Sequence, residues 1–147
     1  MLYRLEIENF YSVRDPQVLD LRIGRSVPDR DKRFAPIFPT SPDRVAKTVA
    51  LFGPNGSGKS TVLKALSFLS WFLTKSFHFE NPTLPILPFN DEESASRPIK
   101  LCIELGGLTN LTAAARLPEN LAKNTDWSSM RYELEIAPVP IGSDRKI

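Results

Sequence analysis

The sequence predicts an α/β fold in which a strand–loop–helix unit packs with a mainly antiparallel β-sheet. Three observations lead there. Residues 2–8, 99–105 and 131–136 alternate apolar and polar side chains, the period of a half-buried strand. The stretch Gly53-Pro54-Asn55-Gly56-Ser57-Gly58-Lys59-Ser60-Thr61 fits G-x-x-x-x-G-K-[ST] without a gap. It is preceded by a short apolar run, residues 48–52, and followed by an apolar-rich run over residues 61–73. A buried strand and then a helix are the expected flanks of such a loop.

The loop's residue types carry a definite chemistry. Its glycines let successive N–H groups point inward at a phosphate. The helix after it adds unpaired N–H groups and the positive end of its dipole. Lys59 is expected to reach the β- and γ-phosphates of a nucleotide, and the Ser60 hydroxyl to coordinate Mg²⁺. Thr61, in the first helical turn, can help hold a phosphate oxygen. All nine residues of the loop are therefore nucleotide-site candidates, with ATP and Mg²⁺ as the expected ligands and Ser60 as the metal ligand.

Taken in order, Tyr3, Leu5 and Ile7 share one face of the first strand, and Arg4, Glu6 and Glu8 the other. A turn at residues 9–12 leads to a second alternating run, 18–23, with Leu19, Leu21 and Ile23 together. The two form a hairpin-like pair. Residues 24–47 hold four prolines and six basic residues offset by Asp29, Asp31 and Asp43. They read as a long solvated loop rather than a nucleic-acid patch. The helix after the P-loop is apolar nearly all round, which predicts cover on more than one side. Its Trp71 and Phe72, with Phe77 and Phe79, read as core packing before an aromatic ligand box.

Residues 81–98 form a Pro-rich, acidic loop. Its Asp91, Glu92 and Glu93 fit a solvated surface better than a Mg²⁺ site. His78 is the only histidine and has no ligand cluster around it in sequence. Residues 99–105 are a strand with Ile99, Leu101, Ile103 and Leu105 inward. A helical turn is expected at residues 112–117. The last strand, 131–136, turns Tyr132, Leu134 and Ile136 inward.

Composition narrows the class. Hydrophobic residues are 41% and charged residues 24%, ordinary for a globular domain, and a net charge of +2 makes no case for nucleic-acid binding. Cys102 is the only cysteine, so no internal disulfide forms and a small core residue is the plain reading. No run approaches the ~20 apolar residues of a membrane span, and cytoplasm is the default location.

Hydrolysis needs more than a phosphate cradle: a carboxylate on the Mg²⁺ shell and a group that positions water. After the P-loop no run of four apolar residues ends in Asp. Glu104 is the nearest acidic residue in a strand, but it lies on the polar face. No catalytic residue is assigned.

Residues 1–12, 18–21 and 49–61 together resemble the N-terminus of ABC-type ATPases of the SMC/RecF/OLD-like group, nearest its prokaryotic AAA family branch. That branch commonly opens with a strand ending in Asn-Phe-(Arg/Lys)-Ser; here the residues are Asn9-Phe10-Tyr11-Ser12. The segment Pro88-Phe89-Asn90-Asp91-Glu92-Glu93-Ser94 to Pro98 also fits. The resemblance implies that the whole chain, 1–147, is the N-terminal, Walker A lobe of a P-loop NTPase head. It implies a second ATPase head or a separately encoded C-terminal lobe as partner, and a setting in DNA repair or anti-phage defence with DNA or a nuclease. Three departures stand out. Tyr11 replaces Arg or Lys and could stack on a base or ribose, or simply pack. Residues 106–130 exceed the usual short turn. The Walker B strand, signature motif, catalytic Glu and switch His are not in the sequence and would lie downstream. A non-enzymatic nucleotide-binding module, or a gene remnant, is the alternative. A small kinase or GTPase would need a substrate lid or an N-K-x-D-type motif, and neither follows Thr61.

Overall fold

The computed structural model describes residues 1–76, 84, 86–108 and 127–138. The expected helical turn at 112–117, and His78, Phe77 and Phe79, lie outside the described residues. Strand β1 (Leu2–Glu8) is as expected, with Tyr3, Leu5 and Ile7 buried. Four strands form one sheet in the order β2-β1-β6-β7, where β2 is Gln17–Asp20, β6 is Ile99–Leu108 and β7 is Trp127–Ile136. Strands β1 and β6 run in opposite directions. Gly106 N donates to Met1 O at one end, and Glu8 pairs with Lys100 at the other. The edge strands are protected by shortness in β2 and by Arg131, Glu133 and Glu135 in β7, which discourage further pairing. Of the three residues expected inward on β7, Leu134 and Ile136 are half-buried and Tyr132 is instead exposed.

These elements make two compact units. One comprises Met1–Glu6, Val18–Leu51 and Cys102–Glu133. Here the supposed loop 24–47 is a correction. It contains β4 (Phe34–Pro36) and β5 (Arg44–Ala46), which join β3 (Arg22–Ile23) in an antiparallel sheet ordered β3-β5-β4. Val45 faces Arg22 on one side and Ala35 on the other. The strands are three residues or fewer, too short for a period to register among the prolines. Pro36 is tolerated because β4 is an edge. The expected single strand at 18–23 is divided likewise, its first part pairing with β1 and its second with β5. Val45, Ile37 and Tyr3 form the local core, with Leu21 and Phe38 against it. Gly106 lets the Ile37 backbone approach: a Cβ there would sit 2.4 Å from Ile37 O.

On the polar face of this unit Glu104 accepts from Arg131 at 2.6 Å and from Arg4 at 3.2 Å, and Arg131 also reaches Glu6. Burial pushes the Glu104 carboxyl up, but the hydrogen bonds from Arg131, Tyr3 and Arg4 outweigh it and hold it below its ordinary value.

The other unit comprises Ile7–Gln17, Phe52–Leu101 and Leu134–Ile147. Helix α1 (Lys59–Lys75) is two residues longer at each end than the periodicity predicts, and Lys75 in its last turn complements the helix dipole. Only Thr61, Ala65, Phe68 and Leu69 are buried on it, and Leu63 is 60% exposed. The expectation of cover on several sides is thus not met within this unit. Phe68 packs on Phe10, Trp71 and Phe72. Phe10 and Phe68 are buried, whereas Trp71 and Phe72 are half-buried at the edge of that cluster rather than in the core expected of them. Helix α2 (Glu92–Ala95) is one turn inside the acidic loop, with Asp91 accepting from Ser94 N at 2.6 Å as its N-cap. Among the described residues no helix is long and apolar enough to cross a membrane.

The unit is tied together by Asn9, which is fully buried. Its side-chain N–H groups donate to Ser94 O and Arg97 O at 2.9 Å and approach Pro98 O at 3.3 Å. Its Oδ1 accepts from Phe89 N at 3.0 Å. Asn9→Ala strands these groups in a dry site. The expected loss is about 2–4 kcal/mol of unfolding free energy; a loss below about 1 kcal/mol by urea titration would refute the clamp. Glu104 gives a pH signature. Its folded pKa is depressed, so its contribution is present above its unfolded value, about 4.3, and is lost as pH falls through the folded one. Glu104→Gln is expected to flatten that part of the stability–pH curve; an unchanged slope below pH 4.5 counts against the network.

Candidate phosphate-binding site

The loop 53–58 precedes α1 directly, so the sequence's nine candidates are brought together at one helix N-terminus. Gly56 and Gly58 take φ of 83° and 85°, where a side chain is strained. Gly58 is the N-cap, offers no side chain to the helix, and the first turn carries no acidic residue. The first helical N–H groups are thus left for an anion, with the dipole favouring it.

Lys59 folds back over the loop. Its ammonium donates to Pro54 O at 2.7 Å, Gly53 O at 2.8 Å and Ser57 Oγ at 3.2 Å. Those three acceptors fix the ammonium over the loop. Ser60, the expected Mg²⁺ ligand, is exposed. Thr61 is buried at 5% exposure, and its hydroxyl bonds Ser12 Oγ at 2.6 Å.

The run 48–52 departs from expectation: it forms no strand. Val49 is 47% and Phe52 90% exposed. A strand needs a neighbour for its backbone groups, and among the described residues this run has no ladder partner. The loop and helix of the expected unit are present, and the strand is not.

One residue that the motif does not include borders the loop: Ser12, whose Oγ bonds the Thr61 hydroxyl and lies beside Gly58. Nothing in the spacing of Ser12 marks it. Farther along α1, Lys64 sets its ammonium 4.2 Å over the Tyr11 ring, and the two line a separate cleft of about 390 Å³ with Phe10 and Trp71.

Other charged groups are committed elsewhere. Asp91 pairs with Arg14 at 3.0 Å while capping α2, and Glu93 pairs with the same Arg14 at 2.5 Å. The acidic triad thus serves the fold rather than a Mg²⁺ ion at Asp91 and Glu93. Glu6, Cys102 and Glu104 bring ligand atoms within 4.8 Å of one another. Arg4 and Arg131 already neutralise both carboxylates, and burial pushes the Cys102 thiol up, away from the thiolate a metal takes. Cys102 is the buried core residue expected of it.

Residues 49–106 match the family model described as "AAA domain, putative AbiEii toxin, Type IV TA system". This stretch is similar to an AAA-type P-loop domain. The matched residues span the loop, α1, α2 and most of β6, under half of the chain, and the similarity carries a nucleotide-binding, ATPase-like character. No curated protein and no solved structure matches the chain.

The backbone at Gly58 gives a direct check. Gly58→Ala places a Cβ at φ 85°, with an expected cost of about 1–2 kcal/mol to the loop conformation. Chemical denaturation is expected to show that loss; a variant as stable as the parent would mean that the loop adopts another path.

Proposed function

We propose that the chain binds Mg-ATP through Gly53, Pro54, Asn55, Gly56, Ser57, Gly58, Lys59, Ser60 and Thr61, as the Walker A part of an ATPase. The observation that carries this is the bare helix N-terminus behind a positive-φ loop, with Lys59 folded over it. When ATP binds, Lys59 exchanges neutral carbonyl partners for charged phosphate oxygens, which are the stronger acceptors. The exposed Ser60 hydroxyl would hold the Mg²⁺, which would neutralise phosphate charge. The family similarity supports the same chemistry.

The resemblance to SMC/RecF/OLD-like heads supplies the rest of the proposal. A Mg²⁺-holding carboxylate and a water-positioning group come from a second head in a homodimer or from a separately encoded C-terminal lobe. DNA repair or anti-phage defence is the proposed setting, with DNA or a nuclease as further partner, in the cytoplasm. The description of the matched family, which names a toxin of a Type IV TA system, supports a defence role. One observation favours the second reading, a nucleotide-binding module without hydrolysis. Asp91, Glu93 and Glu104, carboxylates that follow the P-loop, are each paired with arginine.

Lys59→Ala is expected to weaken Mg-ATP binding by about a hundredfold or more, because two or more charge-assisted contacts disappear. Calorimetric titration of the parent and the variant checks this. Equal affinities would overturn the site. Steady ATP turnover by the chain alone would overturn the second reading.

A further inference from the structure

The nucleotide reading leaves one hydroxyl at the loop without a role. Ser12 Oγ lies 2.6 Å from Thr61 Oγ1. Thr61 is buried and Ser12 is exposed. Ser12 also borders the cradle: a Cβ built on Gly58 would lie 4.0 Å from Ser12 Oγ and 3.8 Å from Val13 Cγ2. Two bonded hydroxyls share their protons in one order or the other. Ionised phosphate oxygens accept and do not donate, so whichever hydroxyl meets them must donate to them. The exposed member is the one placed to do so, and the buried member then donates to its partner. We infer that Ser12 is a direct phosphate-contacting residue of the nucleotide grip, oriented by the Thr61 hydroxyl.

The turn that carries Ser12 is held for this purpose. Asn9 and Tyr11 have φ of 52° and 49°, a region that non-glycine residues occupy at a cost. Asn tolerates it better than Tyr. Two bonds close the turn, Phe10 N to Val13 O at 2.8 Å and Val13 N to Phe10 O at 3.0 Å. Tyr11 N donates to Leu87 O at 3.0 Å, and Asn9 grips residues 89–98. A strained turn fixed from outside, with its next residue at a ligand site, is where backbone strain concentrates in proteins. Ser12 is consequently presented by a rigid element and needs little ordering when the ligand arrives.

The inference rests on the nucleotide reading above, and one set of titrations separates the two. Mg-ATP is titrated calorimetrically into the full chain and its variants, with thermal unfolding as a check on folding. Ser12→Ala is expected to weaken binding about tenfold, the scale of one charge-assisted hydrogen bond. Ser12→Thr, which keeps the hydroxyl, is expected within about twofold of the parent. Thr61→Val is expected to cost about threefold, and Ser12→Ala with Thr61→Val no more than Ser12→Ala alone. Should Ser12→Ala not fold, Ser12→Cys takes its place with a weaker donor of similar size. Parent-like binding by Ser12→Ala, weak binding by Ser12→Thr, or a larger loss in Thr61→Val than in Ser12→Ala overturns the inference. If the parent binds and Lys59→Ala does not, any of those outcomes sinks the Ser12 role alone. A parent that binds no Mg-ATP sinks both readings.

Discussion

The Asn9 carboxamide is the contact on which the nucleotide-site half of the chain depends. It is buried, it ends β1, and it is satisfied at both of its polar atoms by backbone from residues 89–98. Aspartate could not donate to those carbonyls, and leucine could neither donate nor accept. Glutamine is a methylene longer in a site with no spare room. The backbone demand coincides, since asparagine is among the few residues that enter the left-handed region readily. One side chain thereby sets the path of the 9–13 turn and the position of the segment that covers it. The turn in turn lies against Gly58 and Thr61, so the base of the loop rests on the segment that Asn9 holds.

What was legible in the sequence follows from the range of the forces involved. β1 was readable because its alternation is local and uninterrupted. The loop and α1 were readable because glycine conformations and helix period are local too. The run 48–52 misled for the opposite reason: apolar composition marks what a segment can bury, but a strand exists only where another backbone meets it. Strands β4 and β5 were missed because two or three residues carry no measurable period, and their pairing is decided by Val45 and Ile37 finding Tyr3. Ser12 was legible only within the Asn9-Phe10-Tyr11-Ser12 resemblance, because its contact with Thr61 spans 49 positions and leaves no local signal. Asn9 looked like an ordinary turn residue for the same reason.

Charge tells a similar story. Six basic residues between 24 and 47 suggest a surface for an acidic partner only while their own partners are unknown. Arg44 donates to Gly24 O and Val27 O and lies 5.4 Å over Phe34. Arg25 meets Asp43, and Lys47 donates to Lys32 O at 2.6 Å. These are small energies at exposed positions. Their effect is to close the turns between short strands that could not close by burial alone. The segment read as a solvated loop is thus folded, with these basic side chains committed to its turns.

The position of Lys59 sharpens what the loop can do before any ligand arrives. A lysine left in solvent would have to lose side-chain entropy on binding, on the order of 1–2 kcal/mol. Here the ammonium is already held by Pro54 O, Gly53 O and Ser57 Oγ. On the proposed nucleotide reading, binding a phosphate trades partners rather than ordering a chain, and the trade favours the anion because charged acceptors bind the ammonium more strongly than carbonyls do. On the same reading, Gly56 and Gly58 give the loop the backbone freedom to let Lys59 leave those carbonyls, while Gly58 itself lies against the turn that Asn9 holds.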